Sequence, residues 1–149
     1  MATLADPNAC AALRDRIAKL DPNADRKWGR MSAHQMICHL SDSFRVATGD
    51  KYASPDTNLF KRSVVKWVAL HTSLPWPHGV ATRPELLHDH GGTPPSDWTR
   101  DRTELEELIP AFAARQKYGF HPIFGEMNKS DWLIWAYRHI DHHLRQFGA

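Results

Sequence analysis

The sequence is short of cysteine, of long apolar runs and of charge excess, and each shortage removes a class of function. The two cysteines, Cys10 and Cys38, form no C-x-x-C pair. That excludes a disulfide-stapled scaffold and suits free thiols in a reducing cytoplasm. The apolar stretch around Val64 and Val65 is interrupted by Lys66, far short of the roughly 20 residues a membrane span needs. Asp6 comes early and no apolar segment opens the chain, so no signal peptide is expected. The 19 basic and 17 acidic residues leave a net charge of only +2. Basic residues are spread out rather than clustered, so no phosphate-tracking surface and no nucleic-acid partner are expected. Internal repeats and low-complexity segments are also missing.

What is present is ordinary bulk composition with an unusual number of histidines. With 42% apolar and 24% charged residues in 149, the chain reads as one soluble domain, 1–149, able to bury about two thirds of its unfolded surface. Ten histidines make their placement the main question.

The stretch from Asp131 to Phe147 is the clearest element. Asn128 is its N-cap, Asp131 lies in the first turn and Gly148 can close the end. Leu133, Tyr137, Ile140, Leu144 and Phe147 recur at helical spacing and form one apolar stripe. Beside it runs a second stripe, Trp132, Trp135, His139, His143 and Gln146. At about 100° per residue, His139 and His143 stand roughly 40° apart, one turn above the other, so both imidazoles can close on one metal ion. His142 points about 100° away and would not share that ion. Chance alone supplies about 0.65 such i, i+4 pairs in a chain this rich in histidine, so the pair needs support from elsewhere.

Support comes from a second helix. Asp6-Pro7 opens the first, over 7–20, with Cys10, Leu13, Ile17 and Leu20 facing inward. Ser32-Ala-His-Gln35 is a capping-box pattern, and the helix it starts runs to Thr48, where Gly49 can end it. Its inward stripe is Met36, His39, Leu40, Ser43, Phe44 and Ala47. His39 thus lies among residues that need burial, as a third ligand or as a core histidine bonded to a neighbour. Cys38 points about 100° from His39 and reads as a buried structural thiol. His34, in the first turn, should face solvent or the helix end.

Over 57–71, Phe60, Val64, Trp67, Val68 and His71 predict a short third helix. From Thr72 to Asp97 five prolines and three glycines exclude regular structure. A loop this long usually has a task; here it can be the crossover of a bundle whose consecutive helices run parallel. His78, His88 and His90 lie in it and read as solvated. Ser96 or Asp97 caps a helix with Leu105, Leu108, Ile109, Phe112 and Gln116 on one face. Pro110 should kink it, Glu104, Glu106 and Glu107 should face outward, and Tyr118-Gly119 should end it. His121-Pro-Ile-Phe-Gly125 forms a turn before the last helix.

Three features together resemble the DinB-like superfamily: Met31-Ser-Ala-His-Gln-Met-Ile-Cys-His39-Leu, the Pro-rich crossover, and His139-x-x-x-His143-x-x-Gln146. The turn His121–Gly125 resembles the branch known only as a domain of unknown function. The resemblance spans nearly the whole chain. It implies an all-α four-helix bundle, up-down-down-up, with an extra short helix in the crossover, often as a homodimer. It also implies a divalent metal on His39, His139 and His143. Some members transfer low-molecular-weight thiols, some resemble hydrolases and many have no assigned reaction.

Three neutral imidazoles with an open position make up a catalytic rather than a structural metal centre. Such a set suits zinc or nickel first, with iron, copper or manganese after them. The ion would activate water or a thiol against a small substrate; a binding module without turnover is the competing reading. Gln146 can orient His143 or stand as a polar group in the pocket wall. His121, Trp132 and Trp135 can wall a pocket, although the tryptophans serve equally well as core. Asp42, three residues after His39, reaches either the pocket or solvent, and the solvated reading leads.

Overall fold

The computed structural model describes residues 1–149 and is all-helical, with five α-helices and no strands. They are α1 (Pro7–Ala18), α2 (Ala33–Thr48), α3 (Lys66–His71), α4 (Trp98–Ala114) and α5 (Lys129–Gln146). A π-helical turn, Lys61–Val65, leads into α3, and a 3-10 turn, Pro84–Leu86, interrupts the crossover. The start signals act as read. Asp6 accepts from Asn8 N, Ser32 and Gln35 form the full capping box, and Asn128 accepts from Asp131 N. Asp97, not Ser96, caps α4.

Three boundaries differ from expectation. Helix α1 ends at Ala18 rather than at residue 20, yet Leu20 stays buried. Helix α4 runs unbroken through Pro110 but stops at Ala114, since Arg115 is extended. The chain then folds back, and the Tyr118 hydroxyl donates to the Phe112 carbonyl at 2.7 Å. Gln116 therefore lies beyond the helix and is exposed. The third helical segment, the turn that leads into α3 included, begins only after Asn58 because residues 56 and 57 are tied elsewhere. Asp56 N donates to the Pro122 carbonyl and the Thr57 hydroxyl to that of Ile123.

Helices α1 and α2 each pack against both α4 and α5, while α3 packs on α5. The core lies between them. Leu13 and Ile17 of α1, Met36, Ile37 and Leu40 of α2, and Leu105 and Ile109 of α4 meet Trp132, Ile140 and Leu144 of α5, all essentially inaccessible. Each such side chain contributes about 1.5–3 kcal/mol through burial. The stripe expected to bury α3 does not: Phe60, Val64 and Trp67 are half or more exposed, and Leu70 is the residue that enters the core.

The crossover is pinned to the segment that follows α2 and to α5. Lys51 Nζ donates to the Gly91 carbonyl, Arg83 to Ser54, and Arg138 to the carbonyls of Thr72 and Leu74. No helix is long and apolar enough to cross a membrane.

Candidate metal centre

His39 comes from the middle of α2, His139 and His143 from successive turns of α5. Their ring centroids lie 4.9–5.3 Å apart, and one ligand atom from each falls within 4.8 Å of the others. The Nε2 atoms of His39 and His139 are 3.3 Å apart. Two nitrogens bound tetrahedrally at about 2.0–2.1 Å from one ion stand about 3.3–3.4 Å apart, so this spacing fits a shared metal. A hydrogen bond between two neutral imidazoles gives the same separation; what singles out a metal is the third ring, His143, whose ligand atom falls within the same 4.8 Å.

The protonation state suits a ligand role as well. Burial pushes His39 down to about 4, with the Leu86 backbone and the Asp42 charge opposing it. His139 and His143 also fall well below the ordinary imidazole value, first through burial and then through the neighbouring histidine charges. Neutral rings keep a lone pair for a metal near pH 7. Gln146 Oε1 lies 3.1 Å from His143 Nδ1. A proton on Nδ1 satisfies that contact and leaves Nε2 as the acceptor. Gln146 Nε2 in turn donates to the Trp28 carbonyl at 2.7 Å. His39 Nδ1 is buried near the Leu86 backbone but outside good hydrogen-bond geometry.

The other residues singled out by sequence fall differently. Asp42 is neither solvated nor aimed at a ligand. It is fully buried and accepts from Thr93 N, the Thr93 hydroxyl and Arg45, with Lys51 at 3.2 Å. Burial alone would raise its carboxyl, but these partners hold it below the usual range. Its task is to anchor the crossover on α2. His121 closes its own turn: Nδ1 accepts from Ile123 N and Phe124 N at 3.1 and 3.0 Å, and its ring stacks on Phe124. Burial pushes it down to about 3. Trp132 is wholly buried against Phe112 and Tyr118 and is core, not pocket wall. Trp135 packs its ring 5.0 Å from His139 and is also buried.

A second polar cluster went unread in the sequence. His34, expected to face solvent or the helix end, places Nε2 2.8 Å from Asp101 Oδ2, and Cys38 Sγ lies 3.8 Å from the same oxygen. Ser96 N also donates to that oxygen and Arg100 to Oδ1. Burial would raise the Asp101 carboxyl, but these bonds win and hold it at about 2. Burial and the Asp101 charge push the Cys38 thiol up to about 12, so it stays protonated. The i, i+4 spacing of His34 and Cys38 was the available signal; Asp101 on α4 had none.

A family model described as "Protein of unknown function (DUF1569)" matches residues 5–149. The chain belongs to the DUF1569 family. Comparison with curated proteins and with solved structures returns no match. The whole DUF1569 match contains both histidine-bearing helices and the crossover between them. Trp76 of that crossover lies 6.0 Å from the His139 ring, its indole N–H fixed to the Ala69 carbonyl.

Proposed function

We propose that this protein is a metal-dependent enzyme of the DinB-like type, with a divalent transition metal held by His39, His139 and His143. On this reading α1, α2, α4 and α5 are the four helices of an up-down-down-up bundle, α3 is the extra helix of the crossover, and the protein works in the cytoplasm as a homodimer. One observation carries the reading: three neutral imidazoles from two helices converge, with two Nε2 atoms 3.3 Å apart.

When bound, zinc or nickel (or iron, copper or manganese) would lower the pKa of a bound water, to about 7 in the case of zinc, or hold a thiol as thiolate. The chain's own residues set the conditions. Gln146 fixes the His143 tautomer. Trp135 and Trp76 flank His139, and His139 and His143 are incompletely buried. A small substrate, with water or a low-molecular-weight thiol as its co-reactant, fits this arrangement.

The test is metal-dependent turnover. Metal-loaded protein is assayed with bacillithiol, mycothiol or glutathione and an electrophile, and in parallel for ester hydrolysis, beside a His139→Ala variant. Turnover that requires both the metal and His139 is expected. A protein that binds metal but turns nothing over would favour a binding module. That second reading is supported by Asp42, the carboxylate nearest His39 in sequence, whose oxygens are committed to Thr93, Arg45 and Lys51.

A further inference from the structure

Next to the histidine centre, and sharing none of its three ligands, is an open cleft of about 620 Å³. Trp28, from the loop between α1 and α2, and Trp76 and His78, from the crossover, converge there on His142 of α5. The Trp28 indole and the His78 imidazole are stacked 3.9 Å apart at 8°; His78 is exposed and Trp28 half-buried. Stacking between two rings at a cleft mouth marks a platform that already accepts a flat group.

Charge adds a second requirement. The cleft is lined by Lys27, Arg138 and Arg145 against a single carboxylate, Asp141. That carboxylate is already paired to Arg16 at 2.8 Å and to Arg145 at 2.9 Å. Arg138 is fixed on two carbonyls and lies 5.7 Å over the Trp76 ring. The cleft therefore carries surplus positive charge beside flat aromatic walls. Two connections tie it to the centre: Trp76 lies 6.0 Å from both His139 and His142, and Gln146 bonds both His143 and the Trp28 carbonyl.

We propose that this cleft is the substrate subsite and takes a small molecule with a planar conjugated group and an anionic end. The ring stacks on Trp28 in place of His78, and the anionic end lies toward Lys27 and Arg145. The role as substrate subsite rests on the metal-centre reading above; the binding preference does not, because the walls are separate from the ligands.

Benzoate is the probe, with benzamide and acetate as matched controls, titrated into chelator-treated and metal-loaded protein. Binding is followed by the indole N–H resonances of Trp28 and Trp76. Benzoate is expected to bind both forms, at least tenfold more tightly than either control, and to shift both resonances. Lys27→Gln and Arg145→Gln, both at exposed positions that leave the core intact, should each weaken benzoate several-fold and leave benzamide unchanged. Trp28→Leu should weaken both ring compounds about tenfold. Equal affinity for benzoate and benzamide would overturn the anionic preference. Binding only in the metal-loaded form and indifferent to Trp28→Leu would place the carboxylate on the ion and overturn the subsite. Should the protein hold no metal yet bind benzoate as described, the cleft stands and the enzymatic reading fails.

Discussion

At Gln146 one amide serves two neighbours: Oε1 faces His143 Nδ1 and Nε2 donates to the Trp28 carbonyl. Gln146→Leu keeps the volume and loses both bonds. Metal affinity, read by competition with a chromophoric chelator, should fall about 10–100-fold, the usual effect of losing a ligand's supporting partner. Gly29 is bound to the same arrangement. Its φ is +80°, and an added Cβ would meet Gln146 Nε2 at 2.3 Å. Gly29→Ala should cost about 1–3 kcal/mol through the left-handed backbone. It should also weaken metal binding in the same direction as Gln146→Leu, because the amide must move off the Trp28 carbonyl. Thermal melts and the chelator competition read the two effects separately. The sequence placed Gln146 one turn beyond His143 on the same stripe, so its bond to that ring was legible. Its bond to Trp28, 118 positions away, was not, because helical periodicity carries no information about a loop.

At the scale of elements, α2 and α5 were read with correct faces because caps and stripes agreed. Ser32 with Gln35 and Asn128 fixed their starts, and His39 fell on the inward stripe of one, His139 and His143 beside the apolar stripe of the other. The segment 57–71 shows what such reasoning lacks. Phe60, Val64, Trp67 and Val68 do share a helical face, but periodicity says which residues travel together, not which face packs. The tether of Asp56 and Thr57 to the His121–Gly125 turn, with the π-helical turn that follows, rotates Leu70 into the core instead. Leu70→Ala should therefore cost about 2–5 kcal/mol. Leu59→Ser, at a side chain 84% exposed, should stay within about 0.5 kcal/mol. Denaturant midpoints at unchanged m-values would check both. A large loss at Leu59 would mean that this face is covered in solution.

For the whole molecule the buried histidines set a pH dependence. In the absence of metal, folding holds His39 and His121 neutral down to about 4 and about 3, whereas in the unfolded chain they take protons near 6.5. As pH falls below 6.5 the unfolded state binds more protons than the folded one, so stability declines, by about 1.4 kcal/mol per pH unit for each such group. Above 6.5 these groups contribute no slope. Melting in chelator should thus be flat from pH 8 to 7 and drop steadily from 6.5 toward 4, with a shallower drop in His39→Gln. A flat profile would mean that these rings are solvated and protonate freely. Much of this was visible in composition, since ten histidines in one small domain had to be placed somewhere. That His121 would spend its Nδ1 on two backbone amides of its own turn, and that Asp42 would anchor the crossover, depended on tertiary contacts that spacing does not encode.

The convergence of His39, His139 and His143 is tested most directly by metal content. Wild-type protein, His39→Ala and His142→Ala are loaded with zinc or nickel, desalted and subjected to elemental analysis. The expected result is about one ion per chain in wild type and in His142→Ala, whose ring points toward the cleft, and almost none in His39→Ala. A wild-type protein without stoichiometric metal, or a His39→Ala variant that holds as much, would contradict it.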